Sequence, residues 1–330
     1  MSDLPFVSVV MPVYNEKRYI AQAIQSLVMQ DYPKDRMEAV LVDGMSTDGT
    51  VDCIRQAMED YPFIRLIDNP DRTVQFALNR GIKAARGEYI VRFDAHTKYA
   101  PDYISKCMEY HKKTGADNVG GPTIVRGNTP CQKAVAAAYY SPFALGGGKQ
   151  HIEGFDGYAD TVSYGSFQKE TALKLGLFDE RLAINEDDDF NFRLCEAGGK
   201  VYISHEICST YYPRDSYRSL FRQYFRYGFW KVAVIKKHKK PARLSHLIPC
   251  LFVLFLVLGL VLSLVFPPLW YAYGAVLVLY LALDFAFSVK NRHIKGFLNV
   301  LRLMYIHFIL HLSYGTGFIC GIFRFLFYHF

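Results

Sequence analysis

Two long apolar runs near the C-terminal end constrain this chain more than any single motif does. From Leu247 to Phe266 the sequence reads LIPCLFVLFLVLGLVLSLVF without a charge, and Leu269 to Val289 continues in the same manner with one acid, Asp284. A helix of roughly 20 apolar residues crosses the hydrocarbon core of a bilayer. Both runs reach that length, and Pro267 and Pro268 stand between them, so together they predict a membrane hairpin. The hydrophobic fraction of the 330 residues is 51%, and the excess over a soluble protein is concentrated here.

The flanking charges orient the hairpin. Lys236, Lys237, Lys239, Lys240 and Arg243 precede the first run, Lys290, Arg292 and Lys295 follow the second, and the turn between is uncharged. The positive-inside tendency then puts both outer flanks and the long N-terminal region on the cytoplasmic side of a cytoplasmic (inner) membrane, in a multi-pass arrangement. A third apolar segment, Phe297 to Phe330, is clearest over 297–327 and carries Arg302, His307, His311 and Arg324. It fits a third span, a re-entrant pair or a helix lying in the interface.

The net charge of +7 is also localised: residues 213–245 hold ten Lys and Arg against one Asp. A basic block leading into a span predicts attraction to anionic membrane lipids or lipid-linked phosphates, and no nucleic-acid module accompanies it. The chain opens with an acid, Asp3, and a strand-length apolar run, which does not read as a signal peptide. The seven cysteines are scattered with no C-x-x-C pair, as expected of reduced thiols and not of a zinc site.

In the first two hundred residues, β-rich runs (6–11, 39–42, 63–67, 89–93) alternate with helical periodicity such as Ile20, Ile24, Leu27 and Val28. That alternation predicts an α/β fold, a doubly wound, mostly parallel sheet with helices on both faces. Ligands gather at the carboxyl edge of such sheets. Three expected strand ends are polar: PVYNE (12–16), VDGMSTDGT (42–50) and RFDAH (92–96). Asp43 before Gly44 fits a tight turn as well as a ligand contact, and Ser46, Thr47 or Asp48 fits a helix cap. Asp94 and His96, two apart at a strand end, point to one side and can share a divalent ion, or serve as a cap and an internally satisfied histidine. Four consecutive acids, Glu186 to Asp189, open a stretch in which Phe190, Leu194 and Ala197 recur at helical spacing. Acids complement the dipole of a first turn, but four exceed what a cap requires, and one is placed to act as general base on a hydroxyl.

The segments VSVVMPVYNE, VDGMSTDGT, ARGEYIVRFDAH, GLFDE, NEDDDFNFRL and QYFRYG stand in this order across residues 6–230. In order and spacing they resemble family 2 glycosyltransferases of the GT-A fold. Within that family, residues 120–148, 160–170 and 211–231 are similar to the succinoglycan-biosynthesis type of exopolysaccharide glucosyltransferase. The resemblance implies a catalytic domain over 1–212, a basic amphipathic interface segment over 213–245, and a membrane domain over 246–330 with spans near 247–266 and 269–289. It implies a nucleotide pocket lined by Pro12, Tyr14, Glu16 and Asp43, with Asp43 on the uracil or ribose. Asp94 and His96 match the D-x-D motif that holds Mn²⁺ or Mg²⁺ on the donor diphosphate. Asp187, beside Glu186, matches the catalytic base, with Asp188 and Asp189 as neighbouring alternatives. Gln223, Arg226 and Tyr227 match the Q-x-x-R-W motif, whose Arg is expected near the leaving diphosphate.

Two departures follow. His96 replaces a carboxylate, which favours Mn²⁺ over Mg²⁺, and Tyr227 replaces the tryptophan. The implied activity is inverting transfer of a sugar, glucose from UDP-glucose by the resemblance, to a polyprenyl-diphosphate-linked oligosaccharide. Membrane lipids and other polysaccharide-assembly enzymes are the expected partners. Arg214, Arg218, Arg222 and Arg226 recur every four residues on a stretch that leads toward the membrane, as on an interfacial helix, and LGGGKQH (145–151) fits a flexible loop. Transfer to polyprenyl phosphate itself and a non-catalytic nucleotide-binding scaffold are the rival readings. A processive synthase calls for more spans, and a dehydrogenase calls for a G-x-G-x-x-G where PVYNE stands.

Overall fold

The computed structural model describes residues 4–145, 148–239 and 244–327. Lys240 and Arg243 of the basic block, Gly146 and Gly147 of the glycine loop, and Phe330 lie outside the described residues. The first half of the chain forms β1 (Val7–Val13), α1 (Ile20–Val28), β2 (Met37–Asp43), α2 (Thr50–Asp60), β3 (Ile64–Asp68), α3 (Val74–Ala84), β4 (Tyr89–Arg92), β5 (Thr97–Tyr99) and α4 (Tyr103–Thr114). Next come β6 (Asn118–Gly120), β7 (Thr123–Val125), α5 (Pro130–Tyr139), α6 (Pro142–Leu145), β8 (Gly157–Ala159), β9 (Ser166–Gln168) and α7 (Lys169–Lys174). The chain continues through α8 (Glu186–Glu196), β10 (Val201–Ile203), β11 (Ser209–Tyr211), α9 (Tyr217–His238), α10 (Ile248–Val265), α11 (Leu269–Lys290) and α12 (Phe297–Phe327).

Chain contacts divide the molecule into two compact units, residues up to 124 with 152–211, and 125–151 with 212 onward. The sequence draws its boundary at 212 and so keeps 125–151 with the first unit; the contacts group that segment with the second. In the first unit, eight strands run in the order β3-β2-β1-β4-β9-β6-β10-β8. The pairs among β3, β2, β1 and β4 are parallel, as is β6 with β10, while β9 runs antiparallel to both β4 and β6. The sheet is thus mostly parallel, with an antiparallel β9 that three residues are too few to announce.

Alternation along β1 separates two cores. Val7, Val9 and Met11 pack with Ile20, Ile24 and Leu27 of α1 and Ile104 and Cys107 of α4. Val10 packs on the other face with Val40, Val42, Ala77, Leu78, Ile82 and Phe190. Each such fully buried aliphatic side chain contributes about 1.5–3 kcal/mol, so helices on both faces are held by the period-two pattern itself. Gly81 lets α3 approach: a Cβ there would collide with Val10 and stand 3.1 Å from Val42.

The second unit is helical. α9 and α12 pack along each other through small residues, with Gly228 against the backbone of Tyr314, Gly317 against Phe225 and Gly321 against Phe229. Small residues allow close backbone approach where a membrane removes the hydrophobic drive between helices. α9 buries Leu220, Gly228, Lys231, Ala233 and Val234, so it is a packed helix and one of its lysines is inside. Ala134, Ala137 and Ala138 of α5 pack with Leu303, Ile306 and Leu310 of α12. Three stretches, Leu244–Val265, Leu269–Lys290 and Phe297–Phe327, are long and apolar enough to cross a membrane. The third apolar segment is one continuous helix rather than a re-entrant pair. Leu251 and Val278 are more than half exposed, as side chains facing lipid are. Asp284 is buried, accepting from Ser288 at 3.2 Å and pairing with His307 Nδ1 at 2.6 Å, so the one acid of the hairpin is satisfied within the bundle.

Candidate active site

Strand register brings the three predicted loops to one edge. Val13 pairs with Asp43, and on the other side of β1 Val10 pairs with Arg92 in parallel, so the loops after β1, β2 and β4 leave the same edge; Asp43 also pairs with Asp68, which adds the end of β3. The first two loops are then tied together by hydrogen bonds. The amide of Asn15 donates to Ser46 Oγ at 2.8 Å, Thr47 N–H to Asn15 Oδ1 at 2.9 Å, Glu16 N–H to Thr50 Oγ1 at 2.9 Å and Lys17 N–H to Asp48 Oδ2 at 3.0 Å. Ser46 and Thr47 therefore bind across to the other loop instead of capping α2, whose N-cap is Gly49 with φ 91°. Asp43 is 2% exposed and accepts from Ser46 through both carboxyl oxygens, at 2.6 and 2.9 Å. Its carboxylate organises the turn, in line with the tight-turn alternative.

These loops line a cavity of about 110 Å³. Of the residues expected in the nucleotide pocket, Pro12, Tyr14 and Glu16 line it, together with Asp94 and His96; Asp43 does not. Asn69, Arg72 and Thr73, which belong to none of the recognised motifs, also line it. Asn69 donates from Nδ2 to the Thr73 carbonyl at 3.0 Å, and its Oδ1, like Thr73 Oγ1, is buried without a partner among the described residues. Such acceptors become satisfied when a polar ligand arrives.

Asp94 and His96 lie two and four residues past the end of β4, in a turn closed by Thr97 N–H donating to the Asp94 carbonyl at 3.2 Å. An aromatic pad supports the turn. Tyr99 stacks on Phe93 at 3.6 Å, its hydroxyl accepts the Asp94 amide at 2.8 Å, and Tyr103 meets both rings edge-on. Burial pushes the Tyr99 and Tyr103 hydroxyls well above the usual phenol range, so they stay neutral. His96 Nδ1 lies 3.4 Å from Glu16 Oε1. Among the described residues no group of three or more His, Cys, Asp or Glu is arranged to hold a metal ion. One carboxylate and one imidazole on a shared pocket do fit a divalent ion whose remaining ligands come from substrate phosphate and water.

A second cluster, outside the residues that line the cavity, is acidic and carries one buried cation, Arg92. β4 places Ile90 in the core under α8; Arg92, two residues on, faces the same way. Its Nε lies 3.3 Å from Asp94 Oδ1 and its Nη2 3.1 Å from Glu186 Oε1. Burial opposes the charge of Arg92, but Asp94, Glu186 and Asp187 together hold its pKa well above the ordinary value. At the start of α8, Asp189 is fully buried and pairs with Arg193 at 2.9 Å. Asp188 accepts from Thr161 Oγ1 at 3.4 Å. Asp187 accepts the amide of Asp188 at 2.8 Å and makes no ion pair among the described residues. Burial, then Glu186 and Asp188, push its carboxyl up to about 7 against the pull of Arg92.

Gln223 and Arg226 lie on α9, in the second unit. Gln223 Nε2 donates to Tyr227 Oη at 2.9 Å, one helical turn on, and Arg226 is exposed between them.

The profile of "Glycosyl transferase family 2" matches residues 8–158, the segment that holds all three loops. The succinoglycan biosynthesis protein ExoA of Rhizobium meliloti (strain 1021) is 32% identical over 243 residues, 73% of each chain. The chain belongs to glycosyltransferase family 2. This family 2 transferase is also similar to an archaeal relative, the dolichyl N-acetyl-alpha-D-glucosaminyl phosphate 3-beta-D-2,3-diacetamido-2,3-dideoxy-beta-D-glucuronosyltransferase of Methanococcus voltae. That relative is 30% identical over 244 residues, 70% of this chain and 74% of its own. Among solved structures, the mannosyltransferase PcManGT from Pyrobaculum calidifontis, in complex with GDP-Man and Mn²⁺, superposes over 98% of this chain and 89% of its own. The TM-score is 0.62 at 18% identity. The fold shared with such structures is GT-A.

Proposed function

We propose that this transferase moves a sugar from a nucleoside-diphosphate donor, UDP-glucose in the first instance, to a hydroxyl of a polyprenyl-diphosphate-linked saccharide during polysaccharide assembly. The observation that carries the reading is the cavity on which Tyr14, Glu16, Asp94 and His96 converge, with Arg92 joining Asp94 to the acids that open α8. The acceptor class is supported by the names of two relatives, one a succinoglycan biosynthesis protein and one acting on a dolichyl-phosphate-linked sugar, and by three stretches able to cross a membrane. The basic α9 and the flanking lysines favour a cytoplasmic, inner-membrane setting.

Asp94 and His96 would hold a divalent ion, Mn²⁺ in preference to Mg²⁺. When bound, such an ion offsets charge developing on a leaving diphosphate. The chain's own residues do the rest. Pro12, Tyr14 and Glu16 hold the nucleotide, and Asp43 keeps the loop beside it in shape through Ser46. Asp187 takes the proton from the acceptor hydroxyl as that oxygen attacks the anomeric carbon from the face opposite the nucleotide. Inversion follows, so an α-linked donor gives a β-glycoside. Asp189 is engaged by Arg193 and Glu186 by Arg92, which leaves Asp187 best suited as base, with Glu186 beside it. Arg226, with Gln223, is the candidate for the diphosphate by its match to the family motif.

The test is release of nucleoside diphosphate by the detergent-solubilised protein from a panel of UDP- and GDP-sugars, with Mn²⁺, Mg²⁺ or chelator, and with or without lipid-linked acceptor. Metal-dependent turnover of one donor, lost in Asp187→Asn and His96→Ala, supports the reading. Nucleotide binding without turnover under every condition favours a scaffold instead.

A further inference from the structure

Arg92 touches both halves of the proposed chemistry. It projects from β4 with 10% of its side chain exposed, and its two partners, Asp94 and Glu186, are 17% and 11% exposed. Nε serves Asp94 and Nη2 serves Glu186, while Nη1 is buried without a partner among the described residues. A guanidinium with only a packing role does not keep a buried donor unsatisfied. Each of its two contacts acts on a neighbour. Asp94 belongs to the turn closed by Thr97, so fixing its carboxylate fixes the turn that carries His96. Glu186 is the first residue of α8, directly before Asp187, and follows Asn185 in the left-handed region at φ 66°. Tethering Glu186 therefore sets where Asp187 stands.

We propose that Arg92 is a positioning residue that couples the donor-metal turn to the base helix, so that both are held at a fixed separation by one planar guanidinium. A lysine offers a single nitrogen and cannot hold two carboxylates in that geometry. The inference rests on the proposed transfer reaction, and it adds a residue whose loss impairs ligand affinity and turnover by separate routes.

The experiment uses the full chain in detergent. Calorimetry reads the affinity for Mn²⁺·UDP, and UDP release from UDP-glucose reads kcat. Arg92→Met is expected to weaken Mn²⁺·UDP binding by about 10- to 100-fold, the range for losing the support of a metal ligand. It is also expected to lower kcat at saturating ligand by about 100-fold, as a displaced base does. Glu186→Gln lowers kcat and keeps the affinity, and adding it to Arg92→Met costs little further turnover. Arg92→Lys, which also serves if Arg92→Met does not fold, recovers one of the two readouts but not both. Wild-type affinity and kcat in either folded variant, or turnover losses of Arg92→Met and Glu186→Gln that simply multiply, overturn the coupling. A wild-type protein that neither binds Mn²⁺·UDP nor releases a nucleotide would instead overturn the functional reading beneath it.

Discussion

Asp187 differs from the acids on either side of it in what it touches. Glu186 and Asp189 are paired with arginines, whereas among the described residues Asp187 receives only the Asp188 amide and is pushed up to about 7. A base must be ionised to act, so kcat/KM is predicted to fall about tenfold per pH unit below an apparent pKa near 7. Asp187→Asn should lose about 10²- to 10⁴-fold in turnover while still binding Mn²⁺·UDP. The same shift carries a stability signature. A carboxyl whose folded pKa is raised contributes stability that is complete below its unfolded value near 4 and is lost as pH rises through about 7. Since Asn imitates the protonated form, Asp187→Asn should raise the melting temperature more at pH 8 than at pH 5; an equal shift at both would place the raised pKa elsewhere. His96 admits a complementary change. His96→Asp restores two carboxylates to the turn, and a fluorimetric or coupled assay should show Mg²⁺ supporting a larger share of the Mn²⁺ rate than in the wild type.

Elements that span several turns or a full alternation could be read from the sequence, and shorter ones could not. β1 to β4 and α1 stand within a few residues of where periodicity predicts them. β5 to β11 are three residues each, too short to display a period, and β9 joins the sheet antiparallel for reasons that only its neighbours reveal. The loops at the carboxyl edge were legible as polar strand ends, but their mutual hydrogen bonds depend on Val13 lying beside Asp43. Arg92 was hidden because one partner is two residues away and the other almost a hundred. For α9 the sequence shows the arginine stripe, yet two of the three glycines that seat it, Gly317 and Gly321, lie on α12. Adding a methyl at Gly228 collides with the Tyr314 carbonyl, whereas nothing lies within 4 Å of a Cβ at Gly274. Gly228→Ala is therefore predicted to lower stability by about 1–3 kcal/mol in thermal unfolding in detergent, and Gly274→Ala to be neutral or slightly stabilising.

Residues 125–151 decide where this chain can be cut. Sequence alone places them inside a catalytic domain ending at 212, and a truncation there would then be a soluble monomer. Their contacts say otherwise. Thr129 and Gln132 form a capping box that starts α5, and the apolar side of α5 meets Leu220, Leu303, Ile306 and Leu310. Asn291 donates to the Ala137 carbonyl at 2.9 Å, the Phe143 carbonyl bonds His311 at 2.9 Å, and the Phe143 ring packs on Tyr280, Phe287 and His307. Every one of those partners lies after residue 212. Ending the chain there strips α5 and α6 of their packing while keeping β7 and β8, the strands that precede and follow them. A contiguous apolar surface exposed in this way promotes association. The 1–212 fragment should accordingly elute as aggregate in size-exclusion chromatography. The full chain in detergent should elute as a defined species. A monomeric, folded 1–212 fragment would show that 125–151 can satisfy itself without the helices that follow, and the unit boundary would then move back to 212.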